Sequence, residues 1–162
     1  MEIRKARTED LDGIMAVYAV ALAFMHRNGN RTQWIDGYPS RALLTDDIAA
    51  GNCYVETENG AVHGVFVCIE GEDPTYGCIE DGQWLNDRPY AAIHRVGSDG
   101  TCPGFLGRCV AYCKGICPEL RIDTHADNHV MQHLAEKHGF ARCGRIYVED
   151  GSPRIAYQLP TD

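Results

Sequence analysis

A strand that empties into a glycine-bearing turn and re-emerges as a helix constrains this chain more than any other feature. Ala91-Ala92-Ile93-His94-Arg95-Val96 has the alternation of a strand and runs into Gly97-Ser98-Asp99-Gly100-Thr101-Cys102-Pro103-Gly104. Apolar spacing then predicts a helix from about Phe105 to Gly115. The first amide N–H groups of a helix are unpaired and favour negative charge, so an anion site is expected at this turn. Leu120-Arg121-Ile122-Asp123-Thr124 follows as a strand, Asp127 or Asn128 is placed to cap a helix reaching His138, and Gly139 is placed to stop it.

The rest of the chain is built around that unit. Leu11, Ile14, Met15, Tyr18, Leu22 and Met25 fall on one stripe at 3.6 residues per turn, with Thr8 as the expected cap and Glu2 to Ala6 as an opening strand. Residues 26 to 38 show no period and read as a loop long enough to be functional. Pro39-Ser40 and Gly51 bracket a second helix. Cys53-Tyr54-Val55 and the apolar run Val65 to Ile69 flank the turn Glu58-Asn59-Gly60, and the second of these strands is expected to be covered on both faces. Residues 71 to 90 form an irregular excursion in which Cys78-Ile79-Glu80 is a short strand, and Arg145 to Val148 with Arg154 to Leu159 form a hairpin.

With 162 residues, 44% of them hydrophobic, the chain suits one domain with a buried core over residues 1–162. Its 15 Lys and Arg against 23 Asp and Glu leave a formal charge of −8 and no basic patch, which argues against nucleic acid as a partner. No apolar run reaches the roughly 20 residues of a membrane span and the start has no signal-peptide core, so no membrane is expected as partner and a cytoplasmic location is. Eight cysteines are then expected as reduced thiols. Cys109, Cys113 and Cys117 repeat every four residues, but eight helical residues rise about 12 Å and zinc thiolates must converge at about 2.3 Å. Cys109 and Cys113 share the sector of Phe105, Leu106 and Val110 and read as core, while His129 and His133 lie on a polar face with Glu136 and Lys137. No metal is expected.

One stretch is more specific. Thr124-His125-Ala126-Asp127-Asn128 is followed by Met131-Gln132, Leu134 and Gly139-Phe140, and is preceded by Ile93-His94-Arg95-Val96 and the Gly104 loop. With Gln33-Trp34, Tyr38-Pro39, Asp47-Ile48, Gly51 and Tyr54-Val55, this succession resembles the GNAT superfamily of acyl-CoA-dependent N-acetyltransferases from Ile3 to about Leu159. The resemblance implies an α/β (α+β) fold: a mixed, mostly antiparallel sheet of about six to seven strands with a splayed central parallel pair, flanked by about four helices. It also implies acetyl-CoA as co-substrate, a small amine as its partner in the reaction, and a monomer or homodimer. The loop, Thr101-Cys102-Pro103-Gly104-Phe105-Leu106, has Leu106 where the family carries a small residue and Gly107 one place later, and Ala135 stands where many members carry an acid tyrosine.

Direct transfer to an amine needs a base, because an alkyl amine is mostly protonated near neutrality. On this resemblance His94 and His125 are the candidate bases and Tyr147 the candidate acid. Val96, Gly97 and Ser98 would polarise the thioester through backbone N–H groups, and Gly104, Phe105, Leu106, Gly107, Asn128 and Met131 would hold the cofactor. Trp34 and Tyr38 would wall the acceptor site. A non-catalytic acyl-CoA-binding regulator is the alternative, motivated by Leu106 and Ala135, and a metal or redox module on the Cys and His residues is a third reading.

Overall fold

The computed structural model describes residues 1–35 and 37–161; Asp36, inside the expected loop, and Asp162 lie outside the described residues. The strands are β1 Glu2–Lys5, β2 Cys53–Glu58, β3 Ala61–Glu70, β4 Ala91–Ser98, β5 Leu120–Thr124, β6 Ala141–Tyr147 and β7 Pro153–Leu159. The helices are α1 Leu11–Arg27, α2 Arg41–Ala49, α3 Phe105–Ile116 and α4 His129–Lys137. All seven strands form one sheet in the order β1-β2-β3-β4-β5-β7-β6. Among the described residues, only the β4–β5 pairing is parallel.

The sheet is covered on both faces, as the β3 run implied. Val65 and Val67 pack with Ile14, Val17 and Tyr18 of α1, whereas Phe66 and Cys68 pack with Phe105, Cys109 and Cys113 of α3. Fully burying one such side chain contributes about 1.5–3 kcal/mol. Cys109 and Cys113 are core residues. Gly64 lets α3 approach closely: a Cβ there would lie 2.3 Å from the Phe105 ring.

Local signals placed most boundaries. The Ser40 hydroxyl accepts the Leu43 N–H at the start of α2, and the Asn128 side chain accepts the Met131 N–H at the start of α4. Thr8 does not cap α1. It opens a short 3-10 turn, and the Asp10 carboxylate, held by two hydrogen bonds from Arg4, accepts the Arg7 N–H instead. Of Cys78-Ile79-Glu80 only Glu80 makes a strand-like bridge, to Arg145. The terminal hairpin begins earlier than its sequence suggested, because β6 starts at Ala141.

Candidate functional site

β4 and β5 stay together for only two pairs, Ala91 with Leu120 and Ala92 with Arg121, and then part. A bulge helps to drive β4 away. Val65 pairs with Gly97 and Val67 with His94, so Arg95 and Val96 stand opposite Phe66 alone. Arg95 takes φ 51°, which costs a side chain energy and is held by its contacts: a two-point ion pair with buried Asp47, a hydrogen bond to the Tyr38 hydroxyl, and a 2.6 Å hydrogen bond from the Tyr18 hydroxyl to its carbonyl. Two residues further on stands Gly97, where a Cβ would meet the Tyr18 ring at 2.9 Å.

The parted strands open a cleft of about 1060 Å³. Along one side it reaches the turn before α3. Gly104, at φ 84°, carries the chain into the helix with no side-chain cap, and the amides of Phe105, Leu106 and Gly107 have no hydrogen-bond partner among the described residues. The turn itself is rigidly braced. Asp99 accepts from His63 and the Thr101 N–H, while Arg108 forms a two-point pair with buried Glu56 and donates to the carbonyls of Cys102 and Pro103. Leu106 is 7% exposed and belongs to the core beneath α3, so its bulk is turned largely inward. Three free amides at the positive end of a twelve-residue helix suit a diphosphate.

On the opposite face of the sheet, His94 lines the cleft with its Nε2 2.8 Å from Asp73 Oδ2 and its Nδ1 4.0 Å from Asp123 Oδ2. Burial alone would raise Asp73, but hydrogen bonds from His94 and Thr75 outweigh it and hold the carboxyl at about 2. The buried Tyr76 hydroxyl donates to Asp123. The sequence alone does not single out Asp73. Its Asp-Pro-Thr signal marks a turn, and Asp73 does accept the Thr75 N–H, but nothing local reveals that His94 lies beside it.

Trp34 and Tyr38 both line the cleft and meet edge to face at 6.0 Å, with Trp34 also against Tyr18. Val96, Gly97, Ser98, Gly104, Phe105, Asn128 and Met131 line it as well. Gly107 does not; it makes room for His138, whose ring would lie 2.9 Å from a Cβ at that position. Two expected acid-base residues lie elsewhere. The His125 Nδ1 accepts the Asp127 N–H, which puts its proton on Nε2 facing the Thr32 hydroxyl, and burial with Arg154 nearby holds the ring below the usual histidine range. The Tyr147 hydroxyl is engaged with Arg145 and Glu80 on the edge strand. Neither residue lines the cleft. Nothing in its local sequence singles out Gln33, yet its Oε1 accepts from Asn30, Thr124, the His125 N–H and Asn128, tying the loop after α1 to the end of β5.

The chain matches no family model and no curated protein sequence. Among solved structures it is similar to a GNAT-family acetyltransferase from Streptococcus agalactiae, with 33% identity, a TM-score of 0.83, and coverage of 99% of this chain and 95% of that one. A GNAT-family acetyltransferase from Listeria monocytogenes shares the fold at 18% identity and a TM-score of 0.71, covering 97% and 92%. The NatC complex, solved with Gag peptide and CoA, shares it at 17% identity and a TM-score of 0.61 over 100% of both chains.

Proposed function

Because this chain belongs to the GNAT family of acetyltransferases, we propose that it moves an acetyl group from acetyl-CoA to a primary amine of a small molecule or peptide by direct attack. One observation carries the reading: the sheet opens between β4 and β5, with unpaired helix amides along one side of the gap and a hydrogen-bonded histidine on the other.

The residues fit acetyl-CoA. The amides of Phe105, Leu106 and Gly107 would receive its diphosphate, and the backbone of Val96, Gly97 and Ser98 would face its acyl end. Acetyl-CoA supplies the thioester carbonyl and a thiol leaving group of pKa about 8.5, which departs without a dedicated acid. His94 removes a proton from the acceptor, whose nitrogen then attacks the carbonyl carbon. Trp34 and Tyr38 wall the acceptor, and their aromatic faces keep water from that side of the gap.

Thiol release from acetyl-CoA across a panel of primary amines tests this. His94→Ala is expected to lower turnover by about a hundredfold or more while leaving acetyl-CoA affinity unchanged. Tight acetyl-CoA binding by the wild-type chain with no thiol release for any amine would overturn the transfer reading in favour of a regulatory binder.

A further inference from the structure

Among the described residues, Asp123 is a carboxylate with no lysine or arginine nitrogen within 4.0 Å. Its side chain is 11% exposed and lines the cleft, and the Tyr76 hydroxyl is its one side-chain hydrogen-bond donor among the described residues. Arg121, two residues earlier on the same face of β5, is committed elsewhere: it donates to the Asn86 carbonyl and stacks 3.9 Å from the Tyr90 ring centre and 4.2 Å from that of Trp84. Among the described residues, the one titratable nitrogen within 4.0 Å of Asp123 is His94 Nδ1. Burying a carboxylate beside an imidazole lone pair is unfavourable unless a positive group completes the site.

Asp73 decides which nitrogen offers that lone pair. Its Oδ1 accepts from the Thr75 N–H and hydroxyl at 2.8 and 2.7 Å, and its Oδ2 faces His94 Nε2 at 2.8 Å. An ionised carboxylate fixed in this way only accepts, so the neutral ring keeps its proton on Nε2 and turns Nδ1 toward Asp123 and the cleft. We propose that Asp123 is the anchor for the ammonium group of an aliphatic primary amine, which it holds against a His94 ring whose tautomer Asp73 sets.

The geometry suits that group. A nitrogen placed about 2.8 Å from both Nδ1 and Asp123 Oδ2 subtends roughly a right angle across the 4.0 Å gap, near the spread of two ammonium hydrogens. One N–H points to the carboxylate and the other to Nδ1. The second bond breaks, its electron pair stays on the acceptor nitrogen, and Nδ1 takes the proton to become imidazolium between two carboxylates. Arylamines, uncharged near neutrality, lack the charge that Asp123 awaits. This inference rests on acetyl transfer to an amine and adds the acceptor's class. Asp73 acts through His94 and is a positioning residue.

The test has a spectroscopic and a kinetic arm. In nitrogen-15 histidine spectra at mildly alkaline pH, wild-type His94 is expected as the Nε2–H tautomer, and Asp73→Asn is expected to mix the two tautomers. Titration with n-propylammonium is expected to shift the Nδ1 resonance in the wild type and not in Asp123→Asn. In thiol-release assays, Asp123→Asn is expected to raise the KM of aliphatic amines about tenfold or more, with the acetyl-CoA KM unchanged and partial recovery in Asp123→Glu. An Nδ1–H tautomer in the wild type, no response to propylammonium, or faster turnover of arylamines than of aliphatic amines would overturn the anchor while leaving acetyl transfer standing. Absence of thiol release with every amine would instead overturn acetyl transfer, and the wild-type propylammonium titration would still decide the anchor.

Discussion

Arg95 grips Asp47 through two hydrogen bonds, Nε to Oδ2 at 3.1 Å and Nη2 to Oδ1 at 2.9 Å, and so ties the bulge of β4 to α2. Both side chains are nearly buried, at 13% and 10% exposure. Asp47→Ala leaves the guanidinium without its carboxylate, with only the Tyr38 hydroxyl as a side-chain partner, and the expected loss is about 3 kcal/mol in urea denaturation. A loss below about 0.5 kcal/mol would mean that the pair does not hold the bulge.

Gly104 enters α3 at φ 84°, and a Cβ there would stand 3.1 Å from the Arg108 guanidinium. Gly104→Val adds a backbone strain of about 1–2 kcal/mol and displaces the amides that follow. Acetyl-CoA affinity measured by calorimetry is expected to fall at least about tenfold in a chain that still melts cooperatively. Unchanged affinity would discredit this turn as the diphosphate site.

Gly64 and Phe105 form a matched pair across β3 and α3. Gly64→Ala forces a Cβ to within 2.3 Å of the ring unless Phe105 moves, so it is expected to cost about 1–3 kcal/mol. Phe105→Leu in the same chain is expected to recover part of that loss, giving a non-additive double-mutant cycle. Strict additivity would show that the clash relaxes elsewhere.

Much of the fold was legible because its signals are local. The Ser40 and Asn128 caps, the Gly139 stop and the two-faced burial of Val65 to Cys68 each follow from a few neighbouring residues. What the sequence did not show depended on partners distant in sequence, on register or, at His125, on the conformation of a local turn. His94 and Asp73 meet across 21 positions through an excursion with no period. The face of Tyr147 was hidden by a bulge in β6, where Arg142 pairs with Tyr157 but Gly144 pairs with Ala156, because one inserted residue resets the alternation along a strand. The ring of His125 is occupied by an amide only two residues away, a short-range contact that its place after a strand does not announce.

Acid stability should depend on Asp73. Its folded-state value, about 2, lies below the roughly 3.9 of an unfolded aspartate, so the unfolded chain binds more protons in between. The stability it contributes is present in full above about pH 4 and is lost as the pH falls toward 2. Asp73→Asn is therefore expected to flatten the acid limb of a stability-against-pH curve, with the two proteins converging near its lower end. Parallel curves across that window would show that Asp73 gains nothing from its hydrogen bonds.

Thiol reactivity should divide the cysteines sharply. Burial pushes the Cys53 thiol up to about 12, and a hydrogen bond with Cys113 together with burial raises Cys68 further, while Cys78 is exposed. Iodoacetamide is expected to label Cys78 in the native chain within minutes and to reach Cys53, Cys68, Cys109 and Cys113 only after denaturant is added, as read by peptide mass spectrometry. Labelling of the buried four at the rate of Cys78 would mean that the cores on both faces of the sheet, under α1 at Cys53 and under α3 at the other three, open readily.

The two pairs that join β4 to β5 leave the sheet stitched at one end and frayed at the other. Past Ala92 each strand turns a row of backbone groups toward a neighbour that has swung out of reach. Any guest threaded into that gap with amides of its own would complete the weave, serving for the length of its stay as an extra ribbon between the halves. Recognition of that kind reads spacing along a chain, so the length of the frayed stretch, more than the side chains beside it, sets how far a guest is gripped.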